Sequence, residues 1–135
     1  MKLGFLSKIF EGALSIEKTY NECDRAIGEL KAYNEKRTED DFQISKAEKA
    51  DLDELVNTAI ENATRIIDKE GERNWPGVFR EMHKNLASIY LELDELDKVR
   101  DACEKLQNYG EPGRIDADEV RQSLKEKEEE NSTAS

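Results

Sequence analysis

The side chains that could act as nucleophiles or metal ligands are few in this chain of 135 residues. They are one histidine, His83, and two cysteines, Cys23 and Cys103. A catalytic or zinc-binding histidine needs partners at a fixed spacing, and no HxxxH or ExxH pair surrounds His83. Both cysteines fall on apolar stripes and lack CxxC spacing, which indicates reduced thiols in a core. We therefore predict no catalytic residue, no metal ligand and no cofactor-binding residue.

Carboxylates are abundant, as in "TEDD" at residues 38–41 and "DELD" at residues 94–97. A calcium loop needs oxygen ligands that alternate around a glycine, and neither stretch has that form. The sequence contains no phosphate-binding loop, dinucleotide fingerprint or serine elbow. These observations predict that the protein is not an enzyme.

The composition favours long helices with charged outer faces, because 36% of the residues are hydrophobic and 39% are charged. Acidic residues outnumber basic ones by 32 to 21, and the formal net charge is -11. This balance argues against direct nucleic-acid binding and favours a partner protein with a basic surface. The apolar runs are too short to span a membrane, and Lys8 and Glu11 interrupt the start of the chain, so we expect a cytoplasmic protein.

Apolar residues recur three and four positions apart, which is typical of amphipathic helices. The pattern predicts an all-α fold, namely an antiparallel helical bundle of four main helices plus a short C-terminal helix. We expect a helical domain over residues 1–109, a loop and a weakly anchored helix over 110–130, and a disordered tail over 131–135. Ser45 and Glu48 form a predicted capping box, and the helix that they open should end near Gly71.

The stretch "NLASIYLELDELDKVRDACEKL", residues 85–106, predicts two helices joined by a very short turn. Such helices must lie side by side, so Leu86 and Tyr90 should pack against Val99 and Cys103.

Residues 80–113 resemble a tetratricopeptide repeat (TPR), a helix pair of about 34 residues that stacks into a superhelix with a concave binding face. Leu86, Ala87 and Tyr90 match the leucine, small and aromatic positions of the first helix, and Leu96 matches the position that opens the second helix. The chain departs from the family pattern at His83, Asp94, Val99, Cys103, Leu106 and Pro112.

The lack of catalytic motifs, the repeat-like hairpin and the acidic composition together predict a non-catalytic protein–protein interaction module, such as an adaptor, a chaperone or a regulatory subunit. The resemblance implies a partner-binding face that presents Glu81, Lys84, Ser88, Leu91 and Glu92. One alternative is an acidic inhibitor or immunity-type protein that covers a basic, nucleic-acid-binding surface. Another is a small-ligand carrier or an enzyme with a pocket between helices.

The N-terminal segment carries a wide apolar face made of Phe5, Leu6, Ile9 and Phe10. Its balance of two lysines and one glutamate differs in sign from that of the whole chain. We expect this face to be covered, either by the chain's own helices or by a second copy in a homodimer or another partner. The alternative is contact with an anionic membrane surface.

Overall fold

The computed structural model describes the backbone of residues 2–134 and the side chains of residues 15–133. Within that part the chain is helical and has no strand, which confirms the all-α prediction. The helices are α1 (Lys2–Lys36), α2 (Lys46–Ile67), α3 (Pro76–Glu92), α4 (Leu96–Leu106) and α5 (Gly110–Ala134), with a 3-10 turn at Gln107–Tyr109. Among the described helices, none is both long and apolar enough to cross a membrane.

The start of α2 follows the predicted capping signal. The Ser45 hydroxyl accepts a hydrogen bond from the Glu48 amide at 3.0 Å and donates one to Glu48 Oε1 at 3.2 Å. The carboxylate therefore pairs with the capping hydroxyl rather than with the cap amide that we expected. The far end of α2 differs more, because the helix stops at Ile67 and Asp68 caps it without help from Gly71.

Each helix packs against the next one, and α3 also packs against both α1 and α5. This order produces two adjoining cores. The first is formed by α1, α2 and α3 and includes Cys23, Val56 and Met82. The second is formed by α3, α4 and α5 and includes Val99, Leu106 and Val120.

Helix α3 contributes side chains to both cores, which changes the predicted hairpin contacts. Leu86 lies in the first core, Ala87 lies in the second, and Tyr90 packs against both. The sequence predicts Leu86 against Val99 and Cys103. The structure instead turns Leu86 toward α1 and α2, because α3 is covered on two sides and not on one.

The turn between α3 and α4 depends on Asp94, which has a φ of 62° in the left-handed region. Aspartate tolerates this region better than most residues with a side chain. The Glu95 amide then donates to the Tyr90 carbonyl at 2.9 Å, which closes the turn.

The C-terminal part differs from the sequence prediction. Residues 110–113 form the first turn of α5 and not a loop, since Pro112 is tolerated where no intrahelical amide donor is needed. Gly113 is required there, because a Cβ atom at this position would lie 1.9 Å from the Leu106 carbonyl oxygen. The helix is long rather than short, and it continues through residues 131–134, where the sequence predicts a disordered tail.

Candidate partner-binding groove

An open groove runs between the C-terminal parts of α1, α3 and α5 and has a volume of about 800 Å³. Its floor contains Ser88 and Leu91 of α3, and both side chains are half-buried. The described residues of α2 and α4 contribute nothing to its lining. The full lining consists of Lys31, Asn34, Glu35, Arg37, Thr38, Ser88, Leu91, Glu92, Asp94, Ser123, Glu126, Lys127, Glu130 and Asn131.

Two polar contacts tie the helices together along this groove. Asn34 Nδ2 donates to the Glu92 carbonyl oxygen at 2.8 Å and to Glu92 Oε2 at 2.9 Å, which joins α1 to α3. Asn131 Nδ2 donates to Asp94 Oδ1 at 3.0 Å, which joins α5 to the turn after α3. These amides therefore set the spacing of the groove walls.

The charges of the groove are distributed unevenly between its walls. The α1 wall carries two cations, Lys31 and Arg37, and one carboxylate, Glu35. The end of α3 and the α5 wall together carry four carboxylates and one ammonium group; these residues are Glu92, Asp94, Glu126, Glu130 and Lys127. A cationic segment of a partner would be attracted mainly to these carboxylates.

The structure divides the five residues predicted for partner binding. Ser88, Leu91 and Glu92 lie together in the groove. Glu81 and Lys84 do not line it, because both are engaged in contacts nearer the N-terminal end of α3. They lie where neighbouring helices supply partners: Tyr20 of α1 donates a hydrogen bond to Glu81 Oε2, and Lys84 contacts α5.

The Lys84 contact is part of an ion-pair network centred on the buried Asp116 of α5. Arg80 Nη1 pairs with Asp116 Oδ2, and Lys84 Nζ lies 3.0 Å from Asp116 Oδ1. Lys84 Nζ also lies 2.8 Å from Glu119 Oε2, and that hydrogen bond is the main reason why its pKa is raised. This network anchors α5 to α3, so Lys84 has a structural role here.

The contact between Tyr20 and Glu81 likewise joins two helices. Burial, followed by the hydrogen bond to the Glu81 carboxylate, raises the pKa of the Tyr20 hydroxyl. The hydroxyl therefore remains a hydrogen-bond donor at neutral pH, and Glu81 is held against α1.

The chain was compared with protein-family models, with curated proteins and with solved structures, and none of them matches it.

The groove residues of α1 and α5 were not predicted from the sequence. Glu126 and Glu130 lie four positions apart, so they share one face of α5. That spacing is visible in "KEKEEEN", but the absence of apolar residues there indicated a frayed end. Asn34 carries no distinctive sequence signal, since its role depends on how close α3 comes to α1.

The apolar N-terminal face of Phe5, Leu6, Ile9 and Phe10 lies outside the residues whose side chains the structure describes. Its assignment to a core, a homodimer or a membrane surface stays a prediction.

The potential nucleophiles and ligands lie in buried surroundings. Burial raises the pKa of the Cys23 thiol to about 12, and burial also raises the pKa of Cys103. The ring of His83 packs 5.8 Å from the ring of Tyr109, and burial lowers the pKa of this histidine. Among the described residues, no cluster of three or more His, Cys, Asp or Glu side chains could hold a metal ion.

Proposed function

We propose that this protein is a non-catalytic interaction module that binds a segment of another protein in the groove between α1, α3 and α5. The observation that carries the proposal is the groove itself: three helices leave an open channel of about 800 Å³. Its floor is partly apolar and its walls are charged, which suits a protein segment with mixed side chains.

The arrangement of the helices also supports a TPR-like organisation. The hairpins α1–α2 and α3–α4 are followed by α5, and alternate helices contact each other. Alternate helices also line one concave face, as in stacked helical repeats. Asp94 supplies the left-handed residue at the turn where the family pattern has glycine.

The charge of the groove suggests the chemistry of the partner. A segment with lysine or arginine would place its cations near the carboxylates of Glu92, Asp94, Glu126 and Glu130. The net charge of -11 would accelerate the encounter with a basic protein. We propose that this happens in the cytoplasm.

Site-specific photo-crosslinking in extracts of the source organism tests this function. A benzophenone side chain is placed at Glu35 or Glu126, which are exposed in the groove, and at Asn57 of α2 or Asp101 of α4 as controls. We expect one discrete adduct from the groove positions and none from the controls. Replacing Glu126 and Glu130 with lysine should abolish the adduct formed from Glu35.

The crosslinks also distinguish the alternative of an acidic inhibitor. An inhibitor that covers a broad basic surface would crosslink from Asn57 and Asp101 as readily as from the groove. Its complex would also dissociate steeply with added salt. The absence of any adduct from Glu35 and Glu126 would contradict a binding function for this groove.

A further inference from the structure

A second recess lies at the opposite end of α1 and α3 from the groove. It is a narrow cleft with a volume of about 100 Å³. Ile16 in the cleft and Asn34 in the groove are separated by about 27 Å along α1, at a rise of about 1.5 Å per residue. The described lining consists of Ser15, Ile16, Asn62, Arg65, Ile66, Lys69, Arg73, Trp75 and Phe79.

The interior of this cleft is apolar. Ile16 of α1 and Ile66 of α2 form two sides, and Phe79 of α3, which is 1% exposed, forms the base. Trp75 adds an aromatic side just before Pro76 begins α3. The ring of Pro76 fixes its φ at a helical value, which constrains the backbone next to Trp75.

The charged residues at the cleft are all basic within the described part of the chain: Arg65, Lys69 and Arg73. This is unexpected in a protein whose acidic residues outnumber its basic ones. Among the residues whose side chains the structure describes, none of the three has a carboxylate partner closer than Glu72, whose Oε2 lies 3.7 Å from Lys69 Nζ. The guanidinium of Arg73 lies 4.9 Å from the centre of the Trp75 ring.

Arg65 is oriented by an amide rather than by an acid. Asn62 Nδ2 donates to Glu22 Oε2 at 3.0 Å, while Asn62 Oδ1 accepts from Arg65 Nη1 at 3.1 Å. The Asn62 amide therefore bridges the Glu22 carboxylate and the Arg65 guanidinium. No carboxylate of the described residues forms an ion pair with Arg65, so its remaining donors can contact an anion.

We propose that this cleft binds a small organic anion with a compact apolar end. The apolar end would enter between Ile66, Trp75 and Phe79, and the carboxylate or phosphate would contact Arg65, Lys69 and Arg73. A cavity of about 150 Å³ holds benzene, so this smaller cleft fits a branched alkyl group. A soluble acid and an anionic lipid both offer this chemistry.

Trp75 provides a direct signal, since it is the single tryptophan of the chain. The full-length protein is titrated with 3-methylbutanoate and with the neutral 3-methylbutanamide while tryptophan fluorescence is recorded. We expect a saturable change with the acid and affinity at least about tenfold weaker for the amide, because charge-assisted hydrogen bonds are lost. A parallel titration compares vesicles of phosphatidylglycerol with vesicles of phosphatidylcholine.

Matched arginine variants locate the binding. Arg65→Gln and Arg73→Gln should each weaken binding of the responding anion by about tenfold. Arg114→Gln, an exposed position on α5 with the same charge change, should leave binding unchanged. Circular dichroism melts check that all three variants are folded.

The outcomes assign the source of the anion or overturn the proposal. A response to 3-methylbutanoate supports a soluble acid, and a response only to phosphatidylglycerol vesicles supports a lipid headgroup. The proposal would be overturned if the amide bound as tightly as the acid, or if Arg114→Gln weakened binding as much as Arg65→Gln and Arg73→Gln. It would also be overturned if neither 3-methylbutanoate nor phosphatidylglycerol vesicles gave a saturable response. The crosslinking experiment uses Glu35 and Glu126, which do not line this cleft. The proposal for the groove and the proposal for the cleft can therefore fail independently.

Discussion

At the scale of single residues, the neighbours of each polar side chain on α3 decide what it does. Glu81 meets Tyr20, and Lys84 meets Asp116 and Glu119, so both connect helices. Ser88, one turn further along, faces open groove. Sequence spacing could place these residues on neighbouring faces of one helix, but the approach of α1 and α5 determined which of them remained accessible.

His83 provides a prediction for the pH dependence of stability. Its pKa is lowered mainly by burial, with the Glu70 carboxylate raising it and the Lys105 ammonium lowering it further. Below pH 6.5 His83 therefore binds a proton more readily in the unfolded chain than in the folded protein. The free energy of unfolding consequently decreases as the pH falls. We expect His83→Phe to reduce the loss of unfolding free energy between pH 7.5 and pH 5.5.

Urea denaturation at the two pH values measures the effect, and the comparison with the unmodified chain cancels the contribution of the carboxylates. Because the chain has one histidine, its NMR titration in the folded protein gives the pKa directly. A folded-state pKa above 6.5, or the same pH dependence in both proteins, would contradict the prediction.

At the scale of helices, the α4–α5 junction depends on Gly110. Its φ of 73° and ψ of -155° fall in a region that is open essentially to glycine alone. We expect Gly110→Ala to lower the free energy of unfolding by about 1–3 kcal/mol. Gly28→Ala in α1 is the matched control, since a Cβ there meets no atom within 4 Å.

The control should change stability in the opposite direction. Alanine inside a helix is better than glycine by about 0.5–1 kcal/mol, so Gly28→Ala should stabilise the protein. Urea denaturation of both variants checks the signs. Equal effects of the two substitutions would mean that the backbone at Gly110 is not constrained as the structure has it.

The helical periodicity of the apolar residues predicted most of the helices but not how the helices pack against one another. The apolar periodicity gave α1 to α4, and the Ser45 cap gave the start of α2. The sequence interpretation failed at residues 110–113, because two glycines and a proline are typical of a loop. Gly113 is there for close approach to Leu106, a tertiary requirement that no local pattern expresses.

At the scale of the whole molecule, α3 belongs to both cores and to the floor of the groove. The groove could not be predicted for the same reason: its walls come from α1 and α5, which are about 90 residues apart in the chain. Only the floor, formed by α3, lies within residues 80–113, from which the binding face was predicted. Periodicity identifies which face of each helix is apolar, but the side that remains open depends on the order of packing.

The C-terminal half of α5 should contribute to binding much more than to stability. Its apolar anchors in the second core are Ala117, Val120 and Leu124, all before residue 126. Beyond them, α5 is held by polar contacts such as the pair Arg100–Glu128, whose side chains are about half exposed. Exposed pairs of this kind contribute about 0–1 kcal/mol each.

Deleting residues 126–135 therefore separates the two properties. We expect the free energy of unfolding to fall by less than about 1 kcal/mol, while the crosslink from Glu35 disappears because the α5 wall loses the carboxylates of Glu126 and Glu130. Leu124→Ala in the full chain is the converse control and should cost about 2–5 kcal/mol while leaving that wall's charges in place. A truncated chain as unstable as Leu124→Ala would show that the end of α5 is part of the core. A persistent crosslink from Glu35 would show that α1 and α3 alone hold the partner.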